Sequence, residues 1–384
     1  MMYGKIRGLA VAVGISVVLA ACTSGDEAGS ATGGSTPAPD TTGPQAPVEV
    51  AESCNVDELI AATAGMTAEE REAYLLPLAV DGPTPALYLE IADAGPALAD
   101  LFDDLYGLDL NIYRAGSADI RQRAIEESAA GFKGFDVVEV EALEALILQE
   151  NGVIAKASSP HRANIADAGL GEYYSADRYT YVVAVWNPTI VDAPTSLEDM
   201  TSDKYKGLIA FDDSDVYWFA VQVKNMVANG MTEEAAVQIF RDIAAQSSVV
   251  NGHTSTLELI VAGQYGITPN GYSHRIKGVK EKGAIVDWLP LQIPPVAEIT
   301  SVSVACNASN PAAALLLEDF MLRPDGAQAY IAGKNRIPGN IIAQEQLGAE
   351  APDMEPLSVE VGELFKEYQK WSDLYDELLR LASK

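Results

Sequence analysis

The chain has 384 residues, 48% of them apolar, and carries 55 acidic side chains against 25 basic ones, a formal net charge of −30. That apolar fraction excludes a disordered chain, and so acidic a surface repels nucleic acid and anionic lipid, which excludes both as partners. Strong acidity keeps a protein soluble, and it also leaves room for a cationic ligand.

Lys5 and Arg7 precede an apolar run from Leu9 to Leu19, and Leu19-Ala20-Ala21-Cys22 closes it. A basic start, a short apolar middle and small residues before a cut are the marks of a secretory signal. The run is shorter than the ~20 residues a transmembrane helix needs. The four closing residues resemble the lipobox of bacterial lipoproteins, in which the cysteine is lipidated and becomes the new N-terminus. That resemblance implies a signal peptide over residues 1–21 and a domain lipid-anchored through Cys22 outside the cytoplasmic membrane; the competing reading is an ordinary signal peptide that happens to hold a cysteine. Residues 22–48, rich in Gly, Ser, Thr, Pro and Ala, read as a flexible tether. With Cys22 taken by lipid, Cys54 and Cys306 remain. An even pair in an oxidising compartment points to one disulfide, with two buried thiols as the alternative.

Residues 55–64 and 67–78 read as short helices, the second opened by a Thr67/Glu70 capping box. A strand–helix rhythm follows. Residues 86–91 form a strand, and Leu98, Leu101, Phe102 and Leu105 stand at helical spacing. Leu108, Leu110 and Ile112 alternate as a second strand, and Ser117 caps a helix reaching about residue 128. Residues 135–140 are a third strand, followed by the apolar helix face of Leu143, Leu146 and Ile147. After an aromatic stretch from Tyr173 to Tyr179, strands are expected at 181–186, 207–211, 248–250, 265–268, 285–289 and 299–306. Helices are expected at 216–228 and 233–245, with a Thr195/Glu198 capping box before them. Asn310-Pro311 pairs an N-cap with a first-turn proline, and residues 357–382 are mostly helical. Alternation of this kind predicts an α/β protein with largely parallel sheet, and the length suffices for two domains.

Several stretches carry a more specific resemblance: Ala86 to Ile91, Arg114-Ala115-Gly116-Ser117, Phe135 to Glu139, Lys204-Tyr205-Lys206-Gly207, and the run from Val302 through Asn310-Pro311-Ala312-Ala313-Ala314 to Gln328. In order and spacing the chain resembles the extracellular solute-binding lipoproteins of ABC importers, in the ferric-ion-binding group of the type II periplasmic-binding fold. The resemblance implies two α/β lobes joined by crossover strands, with a ligand cleft between them. Lobe 1 would hold residues 49–178 and 302–335, and lobe 2 residues 179–301 and 336–384. Cys54 and Cys306 would then share lobe 1. The implied partners are a small-molecule or metal ligand and an ABC permease, for a protein that is monomeric and needs no cofactor.

In such a cleft, polar groups come from strand C-termini and helix N-termini, where backbone N–H groups and the helix dipole are free. Position then nominates Glu90 and Asp93; Gly116 and Ser117; Glu139 and Glu141; Asp213, Ser214, Asp215 and Tyr217; Thr254, Ser255 and Thr256; and Tyr272, His274 and Arg275. Ser117, Asp213 and Thr254 have the simpler reading of helix caps. Tyr272 with His274 is the candidate metal pair. Two departures bear on the ligand. Ferric-ion binders of this group usually present adjacent tyrosines where this chain has Tyr272-Ser273. Asp213-Ser214-Asp215 also replaces a Ser/Gly-rich anion cradle, and its carboxylates would repel a phosphate unless Arg275 offsets them. A metal ion such as ferric iron, or a small cationic or polar solute, therefore fits better than an anion.

An exported hydrolase and a receptor-like lipoprotein without transport are the alternatives. The first finds little support: there is no GxSxG, HExxH or phosphate loop, and His161, His253 and His274 are far apart in sequence. No enzyme activity is expected.

Overall fold

A computed structural model describes residues 53–345 and 355–383; the expected signal peptide, Cys22 and the tether lie outside these residues. Two helices come first, α1 (Asp57–Ala62) and α2 (Ala68–Val80). Thr67 caps α2 through the expected reciprocal bonds with Glu70. Three strand–helix pairs follow: β1 (Ala86–Leu89) and α3 (Gly95–Tyr106), β2 (Asn111–Arg114) and α4 (Ser117–Ala129), β3 (Val137–Glu141) and α5 (Ala142–Glu150). A long strand, β4 (Ser175–Trp186), leads to β5 (Ile209–Asp212), α6 (Val216–Ala228), α7 (Glu233–Ala244), β6 (Ser247–Val250), α8 (His253–Val261), β7 (Ile267–Tyr272) and α9 (Ser273–Lys280). The chain returns through β8 (Val296–Val304), α10 (Pro311–Leu322), α11 (Ala327–Gly333), β9 (Ile337–Pro338) and α12 (Ile341–Gln344), and finishes with α13 (Val361–Phe365) and α14 (Tyr368–Ala382).

The strands run in the order β2-β1-β3-β8-β4-β7-β5-β6, with β9 added to β4. β2-β1-β3 is one parallel set and β7-β5-β6 another. Between them lie the antiparallel neighbours β8 and β4. Thr300 to Val304 of β8 pair with β3, and Val182 to Trp186 of β4 pair with β7, so each crossover strand serves both lobes. This is the two-lobed type II arrangement. The first lobe packs Leu87, Val137, Phe102 and Phe320 into its core, with Phe102 edge-on to Phe320. The second packs an aromatic cluster in which Phe240 meets Trp218 and Phe219 edge-on, and α14 closes it with Trp371 and Tyr375. Edge-to-face pairs of this sort add ~0.5–1.5 kcal/mol each beyond their area.

Cys54 and Cys306 form a disulfide, tying the chain before α1 to the residue just past β8. The backbone reinforces it: Asn55 N donates to the Cys306 carbonyl at 2.9 Å. Arg71 on α2 is buried against α10, 2.9 Å from Asp319 and 3.4 Å from Glu318.

Some expectations shift. Residues 336–345 pack on the first lobe, not the second: β9 pairs with Arg178 and Tyr179, and Asn340 Nδ2 donates to the Leu322 carbonyl. Residues 285–289 contribute only an isolated bridge from Asp287 to Trp186, because Val286 and Trp288 turn into a separate apolar cluster. The expected Thr195/Glu198 box sits one residue later, where Ser196 Oγ accepts from Asp199 N and Thr195 N donates to the Asp199 carboxylate. Ser117 is not a cap. Gly116 occupies that position, and the Ser117 hydroxyl has another use.

Candidate functional site

The strand ends of the two parallel sets face a cavity of about 800 Å³. Its floor is made by alternate residues of the crossover strands, Arg178 and Thr180 of β4 and Glu298 and Thr300 of β8. The period of two sends these polar side chains to one face, and Tyr179 and Ile299 to the other.

Twelve nominated residues line this cavity. Glu90, Gly116, Ser117 and Glu141 come from the first lobe. Asp213, Ser214, Tyr217, Thr254, Ser255, Tyr272, His274 and Arg275 come from the second. Ser117 Oγ donates to Glu90 Oε2 at 3.1 Å and accepts from Glu141 N at 3.0 Å, so it joins the ends of β1 and β3. Asp213 Oδ2 accepts from Asn251 Nδ2 at 2.7 Å, and Tyr217 donates to the Val359 carbonyl at 3.0 Å. Asp93 pairs with Arg336 at 2.9 Å.

Four nominated residues, the Arg336-paired Asp93 among them, do not line the cavity. Glu139 is fully buried; it accepts from Glu90 N at 2.7 Å and Ile91 N at 3.3 Å and is paired with Arg178. Its role is to hold the turn after β1. Asp215 and Thr256 are buried behind the second-lobe wall, where Thr256 Oγ1 donates to the Gly252 carbonyl at 3.2 Å.

Sequence reasoning missed Arg178, His253, Glu298 and Arg336, all of which line the cavity. Glu298 did leave a signal, since it is a charge among the apolar residues that open β8, whereas Arg178 lies in a stretch that reads as polar. His253 was missed because the helix was read from Thr254, whereas α8 begins one residue earlier.

The charge is unevenly spread. Arg178 is a buried hub, 2.9 Å from Asp177 and 3.3 Å from Glu90 in addition to Glu139. Burial pushes Asp177 up to about 8, against the pull of Gln328. Glu141 and Glu298 have no ion pair among the described residues. Burial, then the surrounding carboxylates, Glu298 first, push Glu141 well above the usual carboxylate range. Burial and Asp215 do the same to Glu298. Burial and Glu298 likewise raise the Tyr272 phenol. His274 lies in the opposite field. Burial, Arg336, Arg275 and Arg178 hold it well below its ordinary value, so it is neutral and its surroundings disfavour a cation. Nε of Arg275 is buried without a hydrogen-bond partner.

Residues 97–356 match the model of the family described as bacterial extracellular solute-binding protein. The chain belongs to that family. As a solute-binding protein it works outside the cytoplasm, on a small molecule, alongside an ABC permease. Among curated proteins none matches its sequence. Solved structures of the same fold include the periplasmic binding protein P5PA, with a TM-score of 0.66 at 18% identity over 77% of this chain and 99% of that one. Iron-bound HitA from Pseudomonas aeruginosa superposes with a TM-score of 0.64 at 18% identity, covering 77% and 98% of the two chains. The spermidine/putrescine transporter's substrate-binding protein PotD from Streptococcus pneumoniae gives 0.60 at 15% identity, covering 78% and 99%. Identities this low carry the fold and leave the ligand to this solute-binding protein's own cleft. Among its described residues no helix is long and apolar enough to cross a membrane.

Proposed function

We propose that this solute-binding protein captures a small organic cation, an amine-bearing solute, and presents it to its permease. The observation that carries the reading is the pair Glu141 and Glu298: two cleft carboxylates, the first half-buried and the second buried, with no ion pair among the described residues. Burying a carboxylate without a counter-charge is costly, and a ligand that brings the missing positive charge recovers that cost on binding. At the opposite side Arg275 offers a free Nε donor to an acceptor group on the same solute. The cavity is in the size range of small organic ligands.

Ferric iron is the lesser reading, although iron-bound HitA shares the fold. Of the two phenols nominated for the cleft, Tyr217 is spent on the Val359 carbonyl, and Tyr272 is followed by Ser273. His274 stands among arginines that repel a cation. In the proposed scheme, lipidated Cys22 holds a monomer at the membrane and residues 22–48 give it reach. A Cys22→Ser chain should then be released into the medium, and one that stays membrane-bound would refute the anchor.

The ligand reading is tested by calorimetric titration with a panel of amines and of carboxylic and phosphoric acids. An amine should bind, and Glu298→Gln should weaken it at least tenfold. Binding confined to anions, or an amine affinity unchanged in both Glu141→Gln and Glu298→Gln, would overturn it.

A further inference from the structure

Three ligand-type atoms converge just behind the second-lobe wall. β5 ends at Asp212, α6 starts after Asp215, and α8 starts at His253. His253 Nε2 lies 3.0 Å from Asp215 Oδ1 and 3.5 Å from Asp212 Oδ1. The three residues expose only 0%, 3% and 8% of their surface in chain order. Despite those distances His253 Nε2 makes no hydrogen bond to either oxygen, and Asp215 Oδ2 has no partner either. A ring nitrogen close to two carboxylate oxygens, yet aligned on neither, leaves all three groups available to a shared ion. Donors that share one ion at about 2.0–2.2 Å stand about 3–3.5 Å from each other, by simple geometry.

The surroundings hold these donors in place. His253 Nδ1 is 2.9 Å from the Asn270 carbonyl oxygen, which can only accept. Nδ1 therefore carries a proton, and it is Nε2 that presents its lone pair once an incoming ion displaces any proton there, the usual orientation of a metal-binding imidazole. The Tyr272 ring stacks on the imidazole with centroids 3.6 Å apart. Asp212 Oδ1 accepts from Ser214 Oγ at 2.7 Å and from Ser214 N at 3.2 Å, and Thr256 Oγ1 is 3.5 Å from Oδ2.

We propose that Asp212, Asp215 and His253 bind one divalent transition-metal ion of the zinc class, with the remaining coordination position opening to the cleft that His253 lines. Two carboxylates and a neutral imidazole balance a dication. One nitrogen and two oxygens suit Zn2+ or Co2+ better than Ca2+, which takes six to eight oxygens. The site is separate from the amine reading, which rests on Glu141 and Glu298.

The test is a titration of the chelator-stripped full chain with Co2+ alone, followed by displacement with Zn2+. One equivalent of Co2+ should bind with a visible absorption band that Zn2+ abolishes. Asp215→Asn and His253→Gln should each lower the affinity at least 100-fold, with circular dichroism confirming that they fold. His161→Gln, outside the cleft, should bind as the wild type does. X-ray absorption of the Zn2+-loaded wild type needs no variant and should show a single imidazole with oxygen ligands. Absence of stoichiometric Co2+ uptake, wild-type affinity in both variants, or a shell with two imidazoles or sulfur overturns the proposal. Loss of metal with amine binding intact would overturn it alone, and the reverse would overturn only the amine reading.

Discussion

Two regions of this protein bury carboxylates, and they treat them oppositely. At the α2–α10 contact, Glu318 and Asp319 are paired with Arg71, which also donates to the Ser158 carbonyl at 3.0 Å. Burial still pushes Asp319 up to about 7 against Arg71, but a counter-charge is built in. In the cleft, Glu141 and Glu298 have no such partner among the described residues. The first arrangement is architecture complete in itself. The second lacks that counter-charge, the gap that the proposed amine would fill.

The paired region is most vulnerable at Arg71. Arg71→Met strands two buried carboxylates and should cost about 3–5 kcal/mol by denaturant unfolding. A loss under 1 kcal/mol would mean that the region does not depend on its counter-charge. Next comes the disulfide, which ties the chain before the first lobe's N-terminal helix pair to the residue just past β8. Cys54→Ser with Cys306→Ser should cost about 2–5 kcal/mol, read in the same way, and leave amine affinity within a few-fold of wild type. A loss of affinity far beyond that would place the bridge in the binding machinery. Removing one cleft carboxylate should have the opposite sign from Arg71→Met. Glu298→Gln relieves repulsion and should raise the melting temperature of the solute-free protein by about 1–2 °C, as a gain of about 1 kcal/mol would.

The smallest effect is on pH. Asp177 has a folded value of about 8, above its unfolded one, so the folded state holds more protons across that interval. Stability should therefore rise as pH falls from about 9 to about 7, and Asp177→Asn should flatten the slope. Amine affinity should move the other way and weaken as pH falls, because protons compete for Glu141 and Glu298. An affinity that strengthens on acidification would count against a cationic ligand.

Much of the fold was legible because apolar spacing is local. Val216–Ala228 and the Asn310 cap of α10 follow from residues a few positions apart. β4 was read too short because Asp177 and Arg178 made its first half look polar; their burial depends on Glu90 and Glu139, some ninety and forty residues earlier in the chain. Strand-end logic found twelve cavity residues and placed Glu139, Asp215 and Thr256 one layer too far forward. His253 and His274, remote in sequence, meet in the cleft in opposite fields. One faces carboxylates and the other arginines, a difference set by tertiary packing that no local pattern records.

The most direct test of the central claim is a pair of melting curves on wild type and Glu298→Gln, without solute and with an amine that the wild type binds. The account predicts that the variant melts higher than wild type without solute and gains little from the amine. A variant that melts lower without solute, or that gains as much as wild type from the amine, would contradict it.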